Sequence, residues 1–452
     1  MTQAPLHNDV LELRIGAPAH GGHFVARHEG RVVFVRHALP GELVRARLTG
    51  EGSGGRFWNA DTVEVLEASE QRTAHPWPLA DALLAQAQGR RPVGGAEFGH
   101  ATLEHQRELK GQVFREQLSR LGRTDPDSVG FSGVEVPNGE RGDGLGWRTR
   151  ASFSVDPQGR LAMNAYHSDL LIPVQEMPLA ADAINDLRLW EVPLAGIARV
   201  EVVAPSDGAP LVLFVESDGA KPGSADRAAR RLPDGASAAV LTQAPGAAAD
   251  GRGELRRLRG RTWVAENVLG RGYRVTGEGF WQIHRLAAPT LVDAVTGLLE
   301  PRPGQRFADL YAGAGLFTLP LADAVGETGH VVSIEGAPGT SKDARRNVHG
   351  RPQAEIVQGR VEKRLPVAGE GEARPLAGVV LDPPRAGAGK EAVARIAAAA
   401  PERVAYVSCD PASFARDVTD FAKKGYVLRS ARVLDLYPHT HHMETVGLLT
   451  RA

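Results

Sequence analysis

Phe307-Ala308-Asp309-Leu310-Tyr311-Ala312-Gly313-Ala314-Gly315-Leu316-Phe317 decides how the second half of this sequence folds. An apolar run of strand character ends at Tyr311, turns through two glycines and continues as an apolar helix. Gly313 and Gly315 permit a tight turn and a close approach of the backbone to a bound nucleoside. Outward from that turn, helical runs alternate with apolar strands at Arg306–Leu310, His330–Ile334, Ala377–Leu381, Arg403–Val407 and Tyr426–Asp435. This rhythm predicts a doubly wound α/β domain with a largely parallel sheet, whose ligands bind beyond the carboxyl ends of the strands.

The glycine turn also narrows the ligand. The third glycine of the dinucleotide fingerprint is missing, because Phe317 and Thr318 stand where the helix would meet a pyrophosphate. An acid, Glu335, ends the next strand, and a carboxylate there can accept both hydroxyls of a ribose. Ribose binding without a pyrophosphate cradle favours S-adenosylmethionine over NAD. The plainer reading of Glu335 is a cap on the helix that follows.

Three more stretches fall at strand ends. Leu381-Asp382-Pro383-Pro384-Arg385 makes a rigid turn in which two backbone N–H groups are missing, predicting an Asp382 carboxylate that points outward and accepts hydrogen bonds. Val407-Ser408-Cys409-Asp410-Pro411 sets a thiol where a helix opens, and backbone N–H dipoles there favour a thiolate. Asp410 works against it, and a buried structural cysteine is the plainer reading. Tyr437 to Thr445 holds His439, His441, His442 and Glu444. A metal site is one reading of that cluster, but its irregular spacing favours a packed, hydrogen-bonded turn.

The first part of the chain differs. Leu11–Ile15, Arg31–Val35, Glu42–Leu48 and Thr62–Leu66 alternate apolar with polar residues between glycine-rich turns, which predicts a small antiparallel, OB-like β-barrel over residues 1–68. Such a barrel binds RNA or serves as a plain structural module. A helix over Leu103–Leu121 then leads to a mainly β central unit, so the division reads 1–68, 69–265 and 266–452.

The totals agree with several folded domains. A chain of 452 residues exceeds the roughly 250 to 300 at which single cores stop growing. Apolar residues at 42% and charged residues at 24% are ordinary for globular chains. No apolar run approaches the roughly 18 residues of a membrane helix, and Met1–Val10 lacks signal-peptide character, so the expectation is cytoplasmic. Basic and acidic residues number 53 and 54, giving a net charge of −1, so any nucleic-acid site must be local. The single cysteine excludes an internal disulfide and any metal site or cluster built on several thiolates.

Five motifs in order, Phe280-Trp281-Gln282, Asp309 to Gly315, Asp382 to Arg385, Ser408 to Pro411 and Pro438 to Val446, make the chain resemble the RNA uracil-C5 methyltransferase family. The barrel resembles the TRAM domain that many members carry. The resemblance implies a Rossmann-like class I methyltransferase domain acting on structured RNA, tRNA or rRNA, as a monomer without membrane attachment. It also implies that Gln282, Tyr311, Glu335 and Asp382, with the Gly313–Gly315 turn, contact S-adenosylmethionine or the target base. It casts Cys409 as the nucleophile on the uracil ring and Glu444 as the proton acceptor. There are departures. Val93-Gly94-Gly95-Ala96 stands where many relatives have iron-sulfur ligands, so no cluster is expected. His284 and Asp410 replace residues that are usually Asn. A rival reading is a non-catalytic RNA-binding protein that retains the fold, and a small-molecule methyltransferase would leave the two N-terminal β units without a task.

Overall fold

The computed structural model describes residues 9–166, 168–242, 253–367 and 375–452. The first eight residues, which bear on the signal-peptide reading, lie outside them.

Residues Val10 to Glu67 form six strands in the spatial order Val10–Arg14, Leu43–Glu51, Phe57–Glu67, Arg31–Arg36, His23–His28 and Pro18–Ala19. Alternation works as expected: Val33 and Val35 are sealed inside and Val32, Phe34 and Arg36 are not. Two points correct the sequence reading. Arg31–Arg36 pairs in parallel with Phe57–Glu67, because the arm Leu43–Glu51 intervenes in the chain, so the sheet is mixed rather than antiparallel. His23–His28 is a further strand, inconspicuous in the sequence because only Phe24 and Ala26 face the core. That core is closed from outside the barrel by Phe98, Ala101 and Leu109.

A seven-stranded sheet follows, with Leu171–Pro173 at one edge and Glu254–Arg259 at the other. It is antiparallel except where Leu211–Glu216 runs beside Ser237–Thr242. The boundary read at residue 265 falls within the strand Trp263–Val268, whose hairpin with Arg271–Thr276 rests on the helix Pro338–Asn347 through Thr276 and Asp343.

The last sheet has eight strands, ordered Ala354–Gln358, His330–Glu335, Arg306–Leu310, Gly378–Leu381, Arg403–Ser408, Glu444–Arg451, Tyr426–Leu434 and Val134–Glu135. The first five are mutually parallel. Glu444–Arg451 is antiparallel to both neighbours, and Val134–Glu135 adds in parallel at the edge. The helix Leu103–Arg120 packs against both this unit and the barrel, whose core Leu109 joins. Its Phe114 meets Phe414, and Lys110 Nζ, fully buried, donates to Asp435 Oδ1 at 2.6 Å. Among the described residues no helix is long and apolar enough to cross a membrane.

Candidate active site

Sheet topology gathers the predicted residues. Parallel strands place Leu310, Glu335, Leu381 and Ser408 at one edge. The antiparallel strand begins at that same edge, where Ser408 faces Thr445. Cys409, just past the end of its strand, and Glu444, the first residue of its own, each lie one residue beyond this pair, so the fold brings two residues 35 positions apart to one end of the sheet.

On the cofactor side, Tyr311 turns the chain with a φ of +61°, a left-handed conformation uncommon for a large side chain and held by packing. Gly313 follows at +56° with open space where a Cβ would stand. Glu335 faces the turn: its Oε2 accepts from Gly313 N at 2.8 Å and its Oε1 from Ala337 N at 2.6 Å. The helix Pro338–Asn347 itself has no side-chain cap, so Glu335 binds the glycine turn and the residue before the helix and does not cap it. Beneath the turn, Asp309 is buried, and its Oδ2 accepts from Thr318 Oγ1 at 2.6 Å. Its Oδ1 has no partner among the described residues. Burial pushes this carboxyl up to about 7, helped by the charges of Asp382 and Glu335 and opposed by Thr318. An open glycine cradle faced by an acid, with an unpartnered buried oxygen beneath, fits a nucleoside that carries a positive charge.

Gln282 Nε2 donates to Asp382 Oδ2 at 3.1 Å, so the half-buried Asp382 accepts a hydrogen bond as its turn predicted. Burial pushes Asp382 up to about 7, with Gln282 pulling the other way. Glu444 is 2% exposed and accepts from Tyr437 Oη at 2.9 Å. Burial, then the charge of Asp382, holds it well above the carboxylate range despite that hydrogen bond. Cys409 also departs from expectation. Burial, then the nearby Glu444 and Asp382, pushes its thiol up to about 12, with only Arg385 opposing. Desolvation and like charge outweigh the helix-terminal dipoles.

Asp410 caps the helix Pro411–Ala422 by accepting from Ser413 N at 2.8 Å. Burial opposes its ionisation, but the hydrogen bonds from His20 and Ser413 outweigh it and hold it at about 2. His284 is buried, stacks on Trp147 with centroids 5.6 Å apart, and sits 2.8 Å from Glu140. Trp147 in turn meets Tyr437 edge-on, so His284 buttresses the residue that holds Glu444. The other histidines serve separate contacts. His439 binds Gln106 and the carbonyl of Asp143, His441 faces Glu97 at 3.5 Å, and His442 lies beside Arg385. Among the described residues no group of three or more His, Cys, Asp or Glu side chains could hold a metal ion. Asp309, Tyr437 and His20 were not singled out from the sequence. The first two lie within quoted motifs, whereas nothing local marks the third.

A family model for tRNA (uracil-5-)-methyltransferases matches residues 373–452, and one for the TRAM domain matches 6–50. A model for protein-L-isoaspartate(D-aspartate) O-methyltransferases matches 274–362, the stretch with the glycine turn and Glu335. An RNA methyltransferase of Streptomyces avermitilis, itself described as uncharacterized, is 39% identical over 98% of each chain. The 23S rRNA (uracil(1939)-C(5))-methyltransferase RlmD of Chromohalobacter salexigens is 33% identical over 97% of this chain and 89% of its own. This chain belongs to the RNA uracil-C5 methyltransferase family. The fold agrees. The tRNA (uracil-54, C5)-methyltransferase of Pyrococcus abyssi, solved with S-adenosyl-L-homocysteine, superposes with a TM-score of 0.70 over 97% of this chain and 99% of its own, at 20% identity. Members of this uracil-C5 methyltransferase family depend on S-adenosylmethionine, which the donor set described above suits.

Proposed function

We propose that this enzyme methylates C5 of a uridine in a structured RNA through a covalent bond between Cys409 and C6 of the base. The observation that carries the reading is the meeting of Cys409, Glu444 and Asp382 beside the glycine turn, at one end of the sheet. Gln282, Tyr311, Asp382, Glu335 and the Gly313–Gly315 turn would hold S-adenosylmethionine, which when bound supplies an electrophilic methyl group on sulfonium.

A stacked uridine cannot reach the thiol, so the base is flipped from its stack into the site. Phe280, 61% exposed and two residues from Gln282, offers a ring at the site for a base to stack on. Cys409 gives up its proton as sulfur adds to C6, which makes C5 a nucleophile. A thiol at about 12 is almost wholly protonated at neutral pH, so the ionised member of the Asp382–Glu444 pair takes that proton during attack. After methyl transfer, C5 carries both the methyl group and its original hydrogen. Glu444, once ionised, removes that proton, the C5–C6 double bond re-forms and the C6–S bond breaks to free the thiol. The raised pKa of Glu444 makes its carboxylate a correspondingly strong base.

The test is transfer from methyl-labelled cofactor to unmodified RNA, with digestion to nucleosides and identification of 5-methyluridine. The similarity to the Chromohalobacter enzyme makes 23S rRNA the first substrate to try and tRNA the second. No label at C5 in either RNA overturns the assignment in favour of a binding protein that retains the fold.

A further inference from the structure

The barrel's shortest hairpin touches the nucleophile's own turn. Pro18–Ala19 and His23–His28 are joined by His20-Gly21-Gly22, with Gly21 at φ +90° and Gly22 at +79°, a tight reversal that suits glycine. His20 Nε2 donates to Asp410 Oδ2 at 2.8 Å, although 390 residues separate them. The Asp410 side chain is 9% exposed and His20 36%. Arg385 Nε lies 3.9 Å from the same Asp410 oxygen. A Cβ added at Gly22 would come within 3.1 Å of the His441 ring, so the hairpin is seated on the catalytic loop at a second point. His441 in turn faces Glu97, and Phe98 N donates to the carbonyl of His439 at 2.9 Å while its ring packs on Phe24 of the barrel. The free volume left between hairpin and thiol is about 10 Å³, the room of a single water.

We propose that His20 is a positioning residue of the active site: by binding Asp410 it fixes the Cys409–Asp410 turn, so the N-terminal barrel contributes to the chemical step and not to RNA affinity alone. Asp410 is already spent on its helix cap through Oδ1. Its second oxygen is the handle by which a separate unit grips the turn, and Cys409 is the adjoining residue. The proposal rests on the role of Cys409 given above.

The experiment uses the full-length enzyme and RNA containing 5-fluorouridine, which cannot lose its C5 substituent as a proton and so traps the adduct. Wild type is expected to form a covalent band on denaturing gels and Cys409→Ala none. Absence of the wild-type band refutes the nucleophile reading itself, independently of His20. His20→Ala is expected to slow trapping, and to lower kcat on ordinary RNA, on the order of 10- to 100-fold, the range a slight misplacement of a reacting group commands. RNA KM and cofactor Kd stay at wild-type values. His20→Gln, which can still donate to Asp410, recovers part of the loss. Asp410→Ser keeps a helix cap but is too short to reach His20, and on that background His20→Ala has no further effect, since the two act as one unit. If His20→Ala keeps wild-type kcat, or loses only RNA affinity, or its effect simply adds to that of Asp410→Ser, the proposal is wrong.

Discussion

Iodoacetamide alkylation of the free enzyme reads the state of the nucleophile directly, because Cys409 is the only thiol in the chain. Its surroundings push it from 9.0 to about 12. At pH 8 a thiol at 9 is about 9% ionised and one at 12 about 0.01%, roughly a 900-fold difference in thiolate. The more basic thiolate is intrinsically the better nucleophile, with a Brønsted slope of about 0.4–0.5, which returns roughly 20- to 30-fold. The expected outcome is alkylation some 30- to 50-fold slower than that of free cysteine at pH 8, rising with pH and reaching no plateau by pH 10. Mass spectrometry of the intact chain follows it, and the urea-unfolded protein supplies the reference rate. A rate equal to the unfolded reference, or a midpoint at or below 9, would show that burial and the two acids do not govern Cys409. The proton-transfer role given to the Asp382–Glu444 pair would then lose its basis.

Cys409→Ala is expected to abolish both adduct and product, whereas Glu444→Gln transfers the methyl group and then retains the RNA covalently. Labelled RNA on a denaturing gel distinguishes the two, and normal turnover by Glu444→Gln would move the base elsewhere. Asp309, raised from 3.8 to about 7, favours the folded state most when protonated. Its contribution is complete below about pH 4 and is lost as pH rises through 7, on the order of 4 kcal/mol for about three units. Asp309→Asn should therefore lose less stability than wild type between pH 5 and pH 8 in thermal melts, and parallel losses would contradict the buried-acid reading. Lys110→Met leaves buried Asp435 with only the longer ion pair to Arg107 at 3.9 Å and is expected to cost up to about 3–5 kcal/mol in denaturant unfolding, with much of it restored by adding Asp435→Leu. An unchanged midpoint for Lys110→Met would count against that pair.

What the sequence disclosed follows physical range. Strands of the last sheet stood out because both faces are covered and the runs are apolar throughout, as in Val404 to Val407. The barrel strand Arg31–Arg36 was legible by alternation, but its parallel partner was not, since direction depends on the path of the intervening arm. Val134–Glu135 has two residues and no pattern, and it is a strand only because Tyr426–Leu434 offers an edge. Cys409 and Glu444 were recognisable through motifs, yet the sign of the thiol shift was not. Neighbouring helix dipoles can be read from sequence, whereas two carboxyls converging from other strands cannot. His20 lay beyond reach for the same reason, its partner being 390 positions away.

The helix Leu103–Arg120 has a consequence for synthesis on the ribosome. Leu109 helps to close the barrel, so the first unit cannot finish its core until that helix has emerged. The next residue, Lys110, waits for Asp435, 325 residues later, and Gln106, three residues before Leu109, waits for His439. A nascent chain therefore carries a buried-type ammonium without its counterion through most of translation. A chain that stops short of Asp435 never acquires it. Early termination is thus marked by an uncompensated charge at the heart of the molecule, a defect that cellular proteases can read through local unfolding long before any loss of catalysis is felt.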